Sequence, residues 1–374
     1  MFMVGLMCDT IIPVADSRGY IEIKDVNVGD MVFDERGYPV EVLDIGYDKG
    51  DIFKVIFADN SYLFCGIDQT FAVRNRAQHY ARDSYRVLSL NEMVIHGLFA
   101  NVKNSGKVSI VKQWYVPKSQ PLVRDSLNLD IDPYLLGLYL GDGSFRTKRF
   151  AVNIKDEDVL GRVAAIIHAP EIVRKSSLWC FVKDYNSNNK PVFFLLSDID
   201  SHDYLVENGS VPDIYFMSSI EQRLELLKGL MDAEGSVSGN DRLCCKYTTS
   251  NDNLALDVMK LATSLGIRAS MSTEDRSVNF KDNYRPEISV YLSLQDELKT
   301  ELFFADRHIS KIYNNMRFDK KFKKHYDDMA VANAEPVGDR NKLISLCVDS
   351  VSNVYQVTDR HLIVHGHQLN ETDI

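Results

Sequence analysis

The sequence predicts an all-β scaffold interrupted by an α+β region built from two related halves. Three observations carry this. Short strand patterns occupy both ends of the chain, a helix–strands–helix order occurs twice between them, and two apolar helices each stop at a carboxylate followed by glycine. With 374 residues, 45% hydrophobic and 26% charged, the chain has room for two or three cores.

Residues 21–28 alternate toward Gly29-Asp30, and 31–33 run into the turn sequence Asp34-Glu35-Arg36-Gly37. Strand patterns at 40–45, 53–57 and 62–64 follow, each bounded by Gly, Asp or Asn. Residues 76–125 are mixed, with another strand-like run at 108–116. After Asp130 the spacing predicts helices at 133–141, 156–167, 220–233 and 253–266. Strands are predicted between them at 150–154, 178–182, 192–196, 244–249 and 287–293. The β pattern returns at 343–348, 354–357 and 361–364. The expected layout is an insertion: 8–120 and 335–370 form the scaffold, and 125–325 form the inserted domain.

Composition narrows the functional classes. No run of about 18 apolar residues exists, so no membrane-spanning helix and no membrane partner are expected. Residues 1–7 are apolar but too short for a signal peptide. Six unevenly spaced cysteines form no CxxC pair, and a reduced, cytoplasmic setting is expected. A net charge of −10, from 43 Lys+Arg and 53 Asp+Glu, argues against a general nucleic-acid binder. The charge is uneven, however. Asp25, Asp30, Asp34, Glu35 and Glu41 fall in the scaffold, whereas 305–325 carry Arg307, Lys311, Arg317, Lys320, Lys321, Lys323 and Lys324 against Asp306 and Asp319. Such a run is commonly a solvated helix face, but it is also the local surface that phosphate contact requires.

The two acidic helix ends carry the sharper signal. Leu135-Leu136-Gly137-Leu138-Tyr139-Leu140-Gly141-Asp142-Gly143 and Leu227-Lys228-Gly229-Leu230-Met231-Asp232-Ala233-Glu234-Gly235 share one design. Each has small residues four apart, Gly137/Gly141 and Gly229/Ala233. Glycine inside a helix costs about 0.5–1 kcal/mol relative to alanine, so close helix–helix contact is the expected reason. Asp142 and Glu234 would then emerge side by side, with Gly143 and Gly235 in left-handed turns. Paired carboxylates repel, and a negative group opposes the dipole at a helix C-terminus. A divalent cation, Mg²⁺ or Mn²⁺, resolves both, and metal-assisted phosphodiester hydrolysis is the chemistry implied.

Both segments resemble the LAGLIDADG motif of homing endonucleases in the two-motif, single-chain form. Lys246-Tyr247-Thr248-Thr249-Ser250-Asn251 is similar to the family's strand–helix continuation. The resemblance implies a pseudo-symmetric monomer, an internal pseudo-dimer, that cuts both strands of a long specific DNA site with divalent metal. It assigns Asp142 and Glu234 as catalytic and metal-binding, and it implies DNA contact by the basic stretch. Intein-borne members usually carry a lysine three residues before a proline upstream of the second motif. Here the segment is Gly209-Ser210-Val211-Pro212, which leaves His308 or Lys311 as the second half's basic residue.

The flanking segments resemble an intein with a Hint-type β horseshoe. Cys8-Asp9-Thr10-Ile11-Ile12-Pro13 is similar to the start, where Cys8 would be the first nucleophile. The usual Thr-x-x-His segment reads Gly66-Ile67-Asp68-Gln69, and Gln cannot act as acid or base. At the other end Asn370 is the cyclising residue, with Leu369 in place of the penultimate His and Glu371 in place of the downstream nucleophile. His365 and His367 are candidate substitutes, and Cys347 is either an alternative nucleophile or a buried strand cysteine. Seven residues precede Cys8 and four follow Asn370, so no host segment is expected on either side. The whole reads as a DNA endonuclease on an intein-like scaffold with impaired splicing. The alternatives are an active self-splicing intein and a DNA-binding relative that does not cut.

Overall fold

A computed structural model describes residues 4–81, 84–104, 107–143, 149–154, 156–166, 179–185, 191–200, 209–239, 243–274, 286–315 and 328–368. The chain divides into two compact units, Met1–Arg124 with Lys324–Ile374, and Asp125–Lys323.

The first unit is organised by an eight-stranded sheet whose spine is a pair of long antiparallel strands, Pro39–Phe57 and Met329–Val348. Their register runs from Val331↔Phe57 to Val348↔Val42 with three irregular steps. The sequence pattern predicts separate strands at 40–45 and 53–57, but the chain continues as one. The polar residues between them find backbone partners across the pair (Ser345↔Gly46, Lys342↔Lys49, Asn341↔Gly50), which outweighs their weak local preference for strand. Leu6–Met7 lies between Tyr62–Gly66 and Met329–Val348 through Leu6↔Cys65 and Leu6↔Ile344, so both ends of the sequence share one sheet. Leu6, Val55, Phe57, Phe71, Val73, Ile344 and Leu346 are among the buried core.

Other details depart from the sequence pattern. Residues 21–28 form only the end of strand Tyr20–Glu22 and a 3₁₀ turn, Ile23–Asp25. The mixed segment holds two short helices, Arg76–Ala81 and Leu90–Ile95. The second starts at a capping box in which Ser89 and Glu92 satisfy each other's backbone N–H groups. The run at 108–116 divides into Lys107–Lys112, paired in a hairpin with Phe99–Asn104, and Trp114–Val116.

In the second unit the repeated order is realised as two antiparallel sheets. One has three strands in the order Arg149–Ile154, Pro191–Asp200, Trp179–Tyr185. The other has four, in the order Gly235–Ser238, Cys244–Thr249, Glu287–Ser293, Arg268–Glu274. The sequence pattern predicts neither Gly235–Ser238 nor Arg268–Glu274, whose only apolar residues are Val237 in the first and Ala269 and Met271 in the second. The helices begin where their caps dictate. Asp132 accepts from Tyr134 N at 2.9 Å with Pro133 in the first turn, Ser219 forms a capping box with Gln222, and Asn251 caps Asp252–Ser264.

Candidate functional site

The motif helices Pro133–Asp142 and Ile220–Glu234 run side by side in the same direction, and their small residues meet. A Cβ added to Gly137 would lie 2.3 Å from Leu226 O, and one on Gly229 would lie 2.2 Å from Tyr134 O. A Cβ on Gly141 would lie 2.4 Å from the Ala233 Cβ. Only glycine admits this backbone contact. It brings the two helix ends together one residue before Asp142 and Glu234. Both acids are half-buried there.

The capping glycines correct one expectation. Gly143 (φ −83°, ψ 154°) and Gly235 (φ −76°, ψ 157°) are extended, not left-handed. Each helix leads directly away in extended backbone, and Gly143 N donates to Tyr139 O at 2.8 Å. Glycine is required for closeness, since a Cβ would sit 2.2 Å from Tyr139 O at Gly143 and 2.2 Å from Met231 O at Gly235.

Three further features build the surroundings. Tyr247 lies opposite Gly235 in the strand pair, is fully buried, and has a hydroxyl without a hydrogen-bond partner among the described residues. Burial pushes its pKa up, and the charges of Glu234 and Asp142 push it further, so both carboxylates act on one phenol.

Asp232, two residues before Glu234, points the other way and is buried. It accepts from Tyr134 OH at 2.7 Å, Ala305 N at 3.0 Å and Phe304 N at 3.1 Å. Burial raises its pKa against these hydrogen bonds. Asp232 therefore locks the first motif helix and the 303–305 turn to the second helix. The sequence held the signal, two acids two residues apart and so on opposite sides of the helix.

The third feature is a cleft of about 560 Å³ beside Glu234, whose walls include Lys246, Glu287, Arg307, His308 and Lys311. Both candidates for the basic residue reach it. His308 is buried, stacks on Phe303 with ring centroids 4.4 Å apart, and its Nε2 has no hydrogen-bond partner among the described residues. Burial, helped by Arg307 and Lys311, lowers its pKa to about 4. It is neutral at pH 7, and Lys311 is the cation of the two. Lys246, on the strand opposite Ser236, adds a charge that sequence reasoning missed; its Nζ donates to Ser289 Oγ at 3.3 Å. Arg307 is tied to the protein, donating to the Asp232 carbonyl at 2.5 Å and pairing with Asp156 at 3.3 Å. Arg317, Lys320, Lys321, Lys323 and Lys324 lie outside the described residues. At the missing upstream lysine, Gly209 has φ +57° and its carbonyl accepts from Asn251 Nδ2 at 3.1 Å.

In the first unit, Cys8 is half-buried against the core. Gln69 is fully buried, and its Nε2 donates to Thr70 O at 2.8 Å and His365 O at 3.0 Å. Of the two substitute histidines, His365 stands beside Gln69 and Thr70, with burial lowering its pKa. His367 is engaged elsewhere, with Nδ1 3.0 Å from Ser345 Oγ and Nε2 2.9 Å from Asp44 Oδ2. Cys347 is a buried strand cysteine. Asn370, Leu369 and Glu371 lie outside the described residues.

Glycine-faced helices ending in paired acids, followed by antiparallel strands, are the arrangement expected of a two-motif endonuclease. The sequence model of the homing endonuclease family matches residues 210–302, a segment holding the second motif helix and all four strands of its sheet. Among curated relatives, the replicative DNA helicase DnaB of Mycobacterium intracellulare is 23% identical over 282 residues, 72% of this chain and 44% of the relative. The replication factor C small subunit of Methanocaldococcus jannaschii is 26% identical over 153 residues, 38% of this chain and 8% of the relative. The chain thus spans less than half the length of these relatives. Among solved structures, I-DmoI in complex with DNA and Ca is 16% identical, with a TM-score of 0.32, covering 49% of this chain and 96% of that one.

Proposed function

We propose that the central unit is a site-specific double-strand DNA homing endonuclease, carried as a monomer on an intein-like unit of Hint-type horseshoe fold. The observation that carries this reading is the close glycine contact of the two motif helices, which ends one residue before Asp142 and Glu234. The donor set fits a hard cation. Among the described residues no group of three or more His, Cys, Asp or Glu could hold a metal. Mg²⁺ and Mn²⁺ are commonly held by one or two carboxylates, with water and substrate phosphate filling the other positions. Asp142 and Glu234 would hold the ion, which when bound supplies Lewis-acid stabilisation and an activated water. Lys246 and Lys311 neutralise the phosphate entering beside Glu234. His308, neutral at pH 7, shapes the wall without charge.

Cleavage of duplex DNA carrying the uninterrupted insertion site, measured in Mg²⁺ and in Ca²⁺, tests this. Asp142→Asn and Glu234→Gln are each expected to lower the Mg²⁺-dependent rate at least 100-fold while leaving DNA binding in Ca²⁺ intact. Equal cleavage by wild type and Asp142→Asn would sink the nuclease reading and favour a DNA-binding relative that does not cut.

Impaired splicing in the first unit is supported by Gln69, whose amide donors are committed to two carbonyls. Fused to test exteins, the chain is expected to yield little ligated product. Efficient ligation that disappears with Cys8→Ala would favour the active intein instead.

A further inference from the structure

We infer that the hairpin Phe99–Asn104/Lys107–Lys112 in the first unit is a further DNA contact, a two-stranded ribbon whose exposed face enters the major groove at an A·T step. This role rests on the duplex-DNA partner proposed above and adds a surface outside both motifs. Charge is the first sign. No Asp or Glu occurs from Met93 to Arg124, although the chain has 53 among 374 residues, and the hairpin carries Lys103, Lys107 and Lys112. Lys103 and Lys107 are exposed, Lys112 is half-buried, and none of the three forms an ion pair among the described residues. Lysines also keep a free strand edge from pairing with other chains, but that purpose requires no acid-free neighbourhood. Uncompensated positive charge on a chain of net −10 is a local surface for phosphate.

The make-up of the face is the second sign. The register sets Phe99 opposite Lys112, Asn101 opposite Ile110 and Lys103 opposite Val108, so these six share one side of the ribbon. Phe99, Val108 and Ile110 are 49%, 58% and 74% exposed, whereas Ala100, Val102 and Val111 on the other side are half-buried. The two strands pair with no third among the described residues. Six residues per strand span about 20 Å, and a major groove about 12 Å wide admits such a ribbon. Across one rung, Asn101 offers an amide and Ile110 an apolar surface. Adenine presents a matching acceptor and donor in that groove, and its thymine partner presents a methyl group. Lys103 and Lys112 stand at either end of the face, where phosphates flank the groove. A lipid surface fits less well, because Asn101 would have to lose its water in the middle of the face.

The test uses the full chain, Ca²⁺ and the duplex carrying the uninterrupted insertion site, so neither readout depends on cleavage. Lys103→Gln/Lys107→Gln/Lys112→Gln is expected to keep the thermal midpoint and to reduce the slope of log K against log salt by about 2–3. In a scan that replaces single thymines by uracil, which deletes only the methyl group, wild type should lose about fourfold in affinity at one or two positions. Ile110→Ser should be insensitive at those positions, a result that stands even if the lysine variant folds poorly. An unchanged salt slope in the lysine variant overturns the ribbon contact, whatever Lys246→Ala/Lys311→Ala does. A uracil scan that is the same in wild type and Ile110→Ser overturns the groove reading. Wild type that binds no duplex overturns the DNA partner itself, and the ribbon with it.

Discussion

His308 and Asp232 show how single side chains near the site are held in unusual states by their surroundings. The His308 pKa is depressed from 6.5 to about 4, chiefly by burial. Between those values the unfolded chain binds a proton that the folded chain does not, so stability falls as pH drops from 6.5 toward 4. Above 6.5 both states are neutral and the group contributes no pH dependence. The thermal midpoint of wild type is therefore expected to fall more steeply across this window than that of His308→Phe, with the two profiles parallel above pH 7. At Asp232 the carboxylate accepts from two backbone N–H groups and one phenol. Asp232→Asn keeps the shape but can turn an NH₂ toward those donors. A loss of about 1–3 kcal/mol in urea unfolding is expected, although the residue touches no predicted substrate.

At the scale of elements, the contact between the motif helices sets two known effects against each other. Replacing a helical glycine with alanine gains about 1 kcal/mol of intrinsic propensity. At Gly137 the new methyl would sit 2.3 Å from Leu226 O, and at Gly229 2.2 Å from Tyr134 O, both backbone atoms that cannot rotate away. Overpacking of this kind costs about 1–3 kcal/mol or more, so the clash wins. Gly137→Ala and Gly229→Ala are each expected to lower stability and cleavage together. Gly161, in the helix Glu157–Ile166, has nothing within 4 Å of an added Cβ. Gly161→Ala should instead be neutral or stabilising, and thermal melts of the three variants separate packing from propensity. The helices and their small faces were legible because 3.6-residue periodicity is a local property. The fused strand Pro39–Phe57 was not, because its middle is held by hydrogen bonds to residues almost 300 positions away.

Across the whole molecule, the net charge of −10 and the proposed DNA partner are reconciled by distribution. Lys246 and Lys311 line the cleft beside Glu234, whereas the total sums both units. Duplex binding is expected to weaken steeply with salt despite the acidic total. Lys246→Ala/Lys311→Ala should reduce the slope of log K against log salt by about 2, roughly one per phosphate contact removed. An unchanged slope would place the phosphate contacts elsewhere, with the basic residues beyond Asn315 as the next candidates.

The sequence by itself determined the repeated motif helices, their ends at Asp142 and Glu234, and the β character of both ends, since all of these are written in local periodicity and residue type. Tertiary structure alone decided which side chains surround those acids. Lys246 and Tyr247 read as ordinary strand residues until pairing sets them opposite Ser236 and Gly235. His308 and Lys311 were equal candidates until burial neutralised one and left the other charged. Gly143 and Gly235 were legible as required glycines but not as extended ones, because their demand comes from the carbonyls they must pass. Periodicity reports which face of an element is apolar, but desolvation and strand register exist only once elements meet.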